Sequence, residues 1–448
     1  MPMPTGSRLQ RTCTPYPTRA PRAVHSRAAA AFVALALTVL SAVRAGAQAQ
    51  ADTVVKLARA PLHAGTAHLV GELSIGVVDG AEEYLIGEVA DLAVRDDGSM
   101  IAWDSKAAQV RQYDARGKFV RNIGRVGSGP GEYRSVSGVA VLKDGRLIVW
   151  DTGNWRMNIY TATGEPAGQW TTASGAAGSA SATYSRGLTV DTDGFIYCRR
   201  TLFTRSFTNR PSVWIKLRPN GEVVDTLRGP ELPAVPQLVA RNGGATSSAD
   251  LPLAPRAFTA FSPLGYFVTG YANRLSVEVH RPGQPLLSIR RDVPARTVPV
   301  AERSAERKRI EDMLRRTDPQ WSWNGPELPS TKPAYGGLRV GADGRIWVAI
   351  DEEQMRLGSA GGPMGIGLSG RGGGGPRPII SQQKADEPPP RPATYDVFEP
   401  DGAYVGRVEI PPRVITAVMK GDTVWGVAYD ADDVAYIKRY RLRWGDAK

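Results

Sequence analysis

Short runs of alternating apolar and polar residues fill most of the chain and are separated by Asp-Gly or Asn-Gly pairs. In LKDGRLIVWDTGNWRMNIYTATGE (142–165), two apolar runs flank Asp144-Gly145, and a third alternating run ends before Gly164. A period of two is typical of a half-buried strand, and Asp-Gly between such runs is a strong hairpin signal. The pattern therefore predicts an antiparallel β meander.

The same unit occurs once more 47 positions earlier in the chain. Asp97-Gly98 then aligns with Asp144-Gly145, and Trp103-Asp104 aligns with Trp150-Asp151. Weaker copies of the unit lie at 187–227, 258–289, 337–408 and 415–444. A four-stranded meander repeated at this spacing is typical of a propeller blade. We predict an all-β fold, a six-bladed β-propeller of four-stranded antiparallel blades.

The boundaries of this propeller follow from its first and last units. The sixth unit lacks a fourth strand, and AHLVGELSIG (67–76) resembles the outer strand that would complete it, so we expect the ring to be closed by the N-terminal strand. The propeller would span 67–444 after an N-terminal lead, 50–66. We expect one inserted helix near 299–317 and a disordered Gly- and Pro-rich insertion at 353–392, within blade five.

The first 49 residues have the features of a secretory signal. Arg22 and Arg27 precede an uncharged run at 28–43, and small residues that suit cleavage follow at 45–49. This segment holds six Arg and no acid, so its removal lowers the net charge from +12 to +6. We expect an exported, periplasmic or extracellular monomer without a membrane span. Such a charge gives no reason to expect a nucleic-acid partner.

The segments 123–133 and 139–160 resemble the NHL repeat of six-bladed propellers. IGRVGSGPGEY supplies the Gly-rich linker, and VAVLKDGRLIVWDTGNWRMNIY supplies the Asp-Gly turn and the D-x-G-N-x-R motif of Asp151, Asn154 and Arg156. Blade one has Gln109 in place of the Arg, and blade three has Arg200 in place of the Asp. The resemblance implies the fold and a structural role for Arg156. Asp151 and Asn154 would hold a tight turn through backbone N–H groups, although an active site at these residues is the alternative.

Candidate chemistry is sparse elsewhere in the sequence. The Gly-rich stretch 124–132 lacks the Lys and helix of a phosphate loop, and no G-x-S-x-G elbow is present. His63, His68 and His280 have no paired spacing, and Cys198 sits in an apolar strand, as expected of an inert thiol. No cofactor is predicted. Six-bladed lactonases and lyases resemble this fold, so a metal-dependent hydrolase or lyase with a divalent ion such as calcium in the central channel is the alternative function.

Strand parity predicts which face of the propeller binds a partner. In a four-stranded blade, the second turn and the link to the next blade lie on one face, and the long excursions at 171–185, 200–211, 229–257, 293–334 and 352–393 are all of these two kinds. Binding residues tend to lie on long loops of a rigid scaffold, so we expect a small ligand, or an envelope protein or polymer, to bind there. The candidate binding residues are Trp155, Arg205, Arg210, Trp321, Trp323 and Tyr335. The alternative is that these loops only cap the channel, with Trp321 and Trp323 packed beneath the helix.

Overall fold

The sequence repeats form four-stranded antiparallel units, which are the blades of a six-bladed β-propeller. The structure is a computed structural model that describes residues 53–171, 182–202, 212–350 and 391–445. The predicted signal segment and nearly all of the Gly- and Pro-rich insertion lie outside the described residues. None of the helices in the described part of the chain combines the length and apolarity needed to cross a bilayer.

The described chain contains short strands, one 3₁₀ helix at Glu82–Tyr84 and one α-helix, α1, at Val300–Leu314. In chain order the strands are β1 (Val54–Leu57), β2 (Thr66–Ile75), β3 (Val89–Val94), β4 (Met100–Asp104), β5 (Gln109–Tyr113), β6 (Phe119–Asn122), β7 (Arg125–Val126), β8 (Glu132–Tyr133), β9 (Val136–Val141), β10 (Leu147–Asp151), β11 (Arg156–Tyr160), β12 (Pro166–Thr171), β13 (Ala182–Val190), β14 (Ile196–Leu202), β15 (Ser212–Leu217), β16 (Val223–Arg228), β17 (Gln237–Asn242), β18 (Ala245–Asp250), β19 (Ala257–Ser262), β20 (Tyr266–Tyr271), β21 (Ser276–His280), β22 (Leu287–Arg290), β23 (Gly337–Val340), β24 (Ile346–Ala349), β25 (Ala393–Phe398), β26 (Tyr404–Ile410), β27 (Val414–Lys420), β28 (Thr423–Tyr429) and β29 (Ala435–Trp444).

Each blade is a meander in which consecutive strands pair antiparallel. Blades one to five are β3–β6, β9–β12, β13–β16, β19–β22 and β23–β26, and blade six is β27–β29 completed by β2. The Asp-Gly turns fall between first and second strands, where Gly98 and Gly145 have φ of +84° and +83°. Glycine adopts this left-handed conformation without a steric penalty, which explains the recurrence of Asp-Gly in the sequence.

The core of the propeller lies between the blades. Each neighbouring pair of blades encloses one cluster of buried side chains, and the sixth cluster joins blade six to blade one, where Trp425 packs with Met100 and Tyr113. Second strands such as β4 and β10 are buried along their whole length because a neighbouring blade covers each of their faces. This packing explains why the second strands read as continuous apolar runs rather than as alternating ones.

The N-terminal strand closes the ring as the sequence predicts. β2 pairs antiparallel with β29 from Ala67↔Trp444 to Ile75↔Ile437. It also pairs in parallel with the end of β26 in blade five, from Thr66↔Arg407 to His68↔Glu409. Blade six is therefore assembled from both ends of the described chain, which leaves the outer edge of β29 paired.

The N-terminal lead contains a strand that the sequence pattern does not predict. β1 lies parallel to β22 and adds a fifth strand to blade four. The chain then passes blade five, where Leu62 N donates to Tyr404 O (2.8 Å) and His63 N donates to Val405 O (3.2 Å), before it enters β2. Residues 54–75 thus bind the outer edges of three successive blades.

The two longest described links fold together into a small cap. The link from blade three to blade four forms the hairpin β17–β18, and the link from blade four to blade five contains α1. Their own apolar cluster includes Leu238 from the hairpin, Ile310 and Leu314 from the helix, and Trp321 from the segment after the helix. The predicted helix at 299–317 is confirmed, with bounds at Val300–Leu314.

Candidate functional site

The propeller has two unlike faces. We call the face that carries the links between blades and the turns between second and third strands the link face. Because each blade is a meander, the hairpin β17–β18, α1 and the other described links emerge on this face, as the parity argument expects. The described turns on the opposite face are short, as at Asp97-Gly98 and Asp193-Gly194. The long segments that could bind a partner are therefore concentrated on one side of a rigid scaffold.

A buried carboxylate organises the link face in blades one and two. Asp151 is fully buried, and its Oδ1 accepts four backbone N–H groups at 3.0–3.2 Å. Two come from the preceding link and two from its own turn, and the donors are Arg134, Ser135, Gly153 and Asn154. In blade one, Asp104 accepts the N–H groups of Gly87, Glu88, Lys106 and Ala107, which are the same positions shifted by 47. The Asp of the repeat thus joins each link to the adjacent turn.

The other residues of the motif hold the Gly-rich link in place. Asn154 Nδ2 donates to Gly127 O (2.9 Å) and to Asp151 Oδ2 (2.6 Å). Arg156 donates to the carbonyl oxygens of Ser128, Gly129 and Glu132. Gly124 begins this link with φ +65°, and a Cβ there would lie 2.4 Å from the Tyr160 hydroxyl. The structural interpretation of Asp151, Asn154 and Arg156 is confirmed, because their polar atoms are used by the backbone of the link.

Of the four candidate residues that the structure describes, Trp155 is the most exposed to solvent. It follows Asn154 in the turn of blade two, its relative exposure is 54%, and its φ is +55°. Left-handed backbone costs a side chain larger than glycine about 1–2 kcal/mol. The equivalent position in blade one is Ala108, with φ +53°. The repeat therefore fixes the backbone of this turn. Blade two carries a large aromatic ring at the position where blade one has only a methyl group.

The two tryptophans after α1 have different environments. Trp321 is 4% exposed and belongs to the core of the cap, with its indole N–H donated to Val239 O at 3.0 Å. Trp323 is half-buried, packs edge-on against Trp321, and has the guanidinium of Arg307 5.0 Å above its ring. Trp321 therefore stabilises the cap beneath the helix, and Trp323 keeps part of its surface accessible.

The remaining predicted binding residues are Tyr335, Arg205 and Arg210. Tyr335 is fully buried between blades four and five, where its hydroxyl donates to Ser276 O at 3.2 Å and burial raises its pKa. A side chain in this position has no surface to offer a ligand. Arg205 and Arg210 lie outside the described residues. Among the six candidates, Trp155 and Trp323 are the described ones that combine a place on the link face with exposed surface.

The strands nearest the propeller axis carry few ionisable side chains. On β3, Asp91 accepts the N–H of Leu92 (3.0 Å) and that of Val139 in the next blade (2.8 Å). On β23, Arg339 donates to the carbonyl of Thr416 in blade six (2.7 Å). Both side chains therefore tie one inner strand to the next. In the ranges that the structure describes, no three His, Cys, Asp or Glu side chains come together in a group that could hold a metal ion.

The thiol and the imidazoles have packing partners. Cys198 is buried between blades two and three, and burial raises the pKa of its thiol to about 12, which disfavours the thiolate. His63 stacks on Trp444, with 4.4 Å between ring centres. His280 Nε2 lies 2.8 Å from Thr269 Oγ1, and desolvation lowers its pKa. The expected burial of this thiol is thus confirmed by the geometry.

Fold and link face together define this chain as a six-bladed β-propeller. A model of the family DUF5128, described as a 6-bladed beta-propeller, matches residues 79–174, which contain blades one and two. No curated protein shows a significant match to the sequence.

Solved structures resemble the chain over most of its length at low identity. A Bacteroides fragilis protein provisionally described as exported is 9% identical, with a TM-score of 0.45, and the match covers 88% of this chain and 100% of that one. A member of the duf4221 family from Bacteroides vulgatus is 10% identical, with a TM-score of 0.46 and coverage of 86% and 99%. A gluconolactonase from Xanthomonas campestris is 12% identical, with a TM-score of 0.37 and coverage of 84% and 99%. Nothing about activity follows from similarities this low.

Two features of the link face escape sequence reasoning. The left-handed backbone of Trp155 is one, although the shift of 47 residues that aligns the repeats already places Ala108 opposite it. The other is the convergence of Arg59 with Arg290 and Arg291, which are far apart in the chain and meet through β1 and β22. No local pattern in the lead indicates that pairing.

Proposed function

We propose that the protein is an exported binding scaffold that recognises a small ligand, or an envelope protein or polymer, on its link face. Trp155 is the central contact, and Trp323, Arg205 and Arg210 are secondary ones. The observation that carries the proposal is the exposed ring of Trp155 on a left-handed backbone. The repeat fixes this backbone in both blades, so the fold does not require an exposed ring where blade one has only the methyl group of Ala108. Aromatic rings supply large contact area at little entropic cost.

The comparison with Ala108 supports the same conclusion. Both turns have the same backbone and the same carboxylate contacts, so the fold is satisfied by a methyl group at this position. Val126, in the link held beneath the turn, is also exposed, at 55%. The turn and the Gly-rich link, which Asn154 and Arg156 hold together, thus both present apolar surface. We also propose that the blades are NHL-type repeats, which the shared roles of Asp104 and Asp151 support.

The test is a substitution that leaves the turn intact. Trp155→Ala gives blade two the side chain that blade one already has, so the free energy of unfolding should change by less than about 1 kcal/mol. Leu264→Ala is the matched control, because Leu264 is an exposed apolar residue in a short turn of the opposite face. Immobilised full-length protein would be probed with peptidoglycan fragments, an oligosaccharide array and a fractionated envelope extract.

We expect the wild type and Leu264→Ala to retain the same ligands, and Trp155→Ala to lose at least tenfold in affinity. If all three proteins retain the same set with equal affinity, Trp155 is not the contact. If Trp155→Ala is instead destabilised by more than about 2 kcal/mol, the ring has a packing role and its exposure does not indicate a ligand contact.

The alternative function, a metal-dependent hydrolase or lyase, has less support from the described residues. It needs several carboxylate or amide oxygens that converge on one ion, and the channel carboxylate Asp91 is engaged with backbone N–H groups. Lactone hydrolysis measured with and without added calcium would separate the two functions, since a binding scaffold should show no calcium-dependent turnover.

A further inference from the structure

A cavity of about 250 Å³ opens at the outer rim of blade four. Its lining residues are Leu57, Ala58, Arg59, Arg290, Arg291 and Asp292. They converge because β1 and β22 are parallel and end side by side, with Leu57 paired to Arg290 and Ala58 N donating to Arg290 O at 2.8 Å. The link to blade five begins here, so the cavity lies at the link-face end of these two strands.

One of its arginines is held rigidly by a buried carboxylate. Arg291 Nη1 donates to Asp396 Oδ2 at 2.5 Å, and its guanidinium lies 4.6 Å from the centre of the Tyr404 ring. Asp396 is fully buried, and its Oδ1 accepts the Tyr404 hydroxyl (3.0 Å) and Arg407 Nε (3.1 Å). The orientation of Arg291 is therefore set before any ligand arrives, which lowers the entropic cost of binding.

The other two arginines retain free charge. In the described part of the chain, neither Arg59 nor Arg290 forms an ion pair, and Arg290 Nε contacts only the hydroxyl of Ser288, at 3.2 Å. Among the described residues, the lining holds three arginines against Asp292, and Asp396 neutralises Arg291, so one positive charge remains. A half-enclosed site with this excess attracts anions.

We propose that this cavity binds a small dianion, either a phosphate group or a dicarboxylate. Arg59 and Arg290 contact the ligand, and Arg291 forms a fixed wall beside it. The guanidinium fork matches the paired oxygens of both anions, and the volume is below the 300–1,000 Å³ typical of sites for drug-sized molecules. This site is separate from Trp155, and it does not depend on the function proposed above.

Titration calorimetry of the full-length protein at constant ionic strength tests the proposal with two probes, inorganic phosphate and succinate. We expect saturable binding of at least one probe, and the one that binds identifies the anion. The double variant Arg59→Ala with Arg290→Ala should weaken binding of that probe at least tenfold. The double variant Arg59→Lys with Arg290→Lys should weaken binding less, because lysine keeps the positive charge and loses only the forked guanidinium. Arg116→Ala is the matched control, an exposed arginine in a short turn of the opposite face.

A second measurement avoids dependence on the variants. In the wild type, the bound probe should slow the modification of Arg59 by phenylglyoxal, read by peptide mass spectrometry, and should leave Arg116 unchanged. The proposal is overturned if neither probe binds, if Arg116→Ala weakens binding as much as the double variant does, or if Arg59 and Arg116 are protected equally.

Discussion

Replacing Asp104 with Ala should destabilise the protein more than replacing Asp151 with Ala, although each carboxylate accepts four backbone N–H groups from equivalent positions of its own blade. A buried donor left without an acceptor costs about 1–3 kcal/mol, and water admitted by the shorter side chain can satisfy some of the four, so the shared loss is about 2–4 kcal/mol. Each carboxylate also accepts one side chain: Asp151 accepts the neutral amide of Asn154 (2.6 Å), whereas Asp104 pairs with the guanidinium of Arg111 (3.1 Å), with side-chain exposures of 4% and 2%. Removing one member of a buried ion pair costs about 3–5 kcal/mol. We therefore expect Asp104→Ala to be the worse variant by about 2 kcal/mol or more.

Double-mutant cycles isolate this difference. Urea unfolding followed by tryptophan fluorescence and by circular dichroism would give the free energies, with equal m-values as the check that all variants undergo the same transition. The cycle of Asp104→Ala with Arg111→Ala should show a coupling of about 2 kcal/mol or more. The control cycle joins Asp151→Ala with Asn158→Ala, since Asn158 occupies the position of Arg111 but donates to Glu132 O (2.9 Å). Equal losses in the two blades, with similar coupling in both cycles, would refute the reasoning.

Two further outcomes follow from the described contacts. Deleting residues 53–58 removes β1 and should speed amide hydrogen exchange in β22, and unchanged exchange at Leu287–Arg290 would mean that the parallel pairing contributes nothing. Cys198 should resist a thiol reagent at pH 8 in the native protein and react in urea, because burial raises its pKa to about 12. Reaction of the native protein at the unfolded rate would contradict a buried, protonated thiol.

The blades could be predicted from sequence because their determinants are local. Hairpins depend on a turn pair and on flanking alternation, and both recur in every unit, so the blade count and the closing strand follow from the repeat alone. β1, in contrast, depends on pairing with a strand that is distant in sequence. Its four residues, VVKL, are mostly exposed and carry no distinctive pattern, and they form a strand because the edge of β22 is available to pair with them.

The candidate site was harder to predict, because exposure is a property of tertiary packing. Trp155 and Trp321 both follow polar turn or loop residues, and nothing in the flanking sequence separates the exposed ring from the one in the cap. Trp321 is buried because the hairpin β17–β18, about 80 positions earlier in the chain, supplies the opposite side of its pocket. The side chain of Tyr335 is likewise enclosed by blade four, through Ser276 and Phe258.

The carboxylate that makes the fold predictable also explains why the turn after it can serve function. Four hydrogen bonds to Asp151 fix the backbone on both sides of the turn, and even at the modest net value of about 1 kcal/mol each they exceed the 1–2 kcal/mol of left-handed strain at Trp155. The residue at φ +55° is therefore not needed to hold the turn, which is the freedom that Ala108 demonstrates in blade one. Where folding does not require a particular side chain, the demands of ligand binding can determine which residue occupies the position. On the link face, Asp151 holds the backbone of the turn, and the exposed ring of Trp155 is left free to contact a ligand.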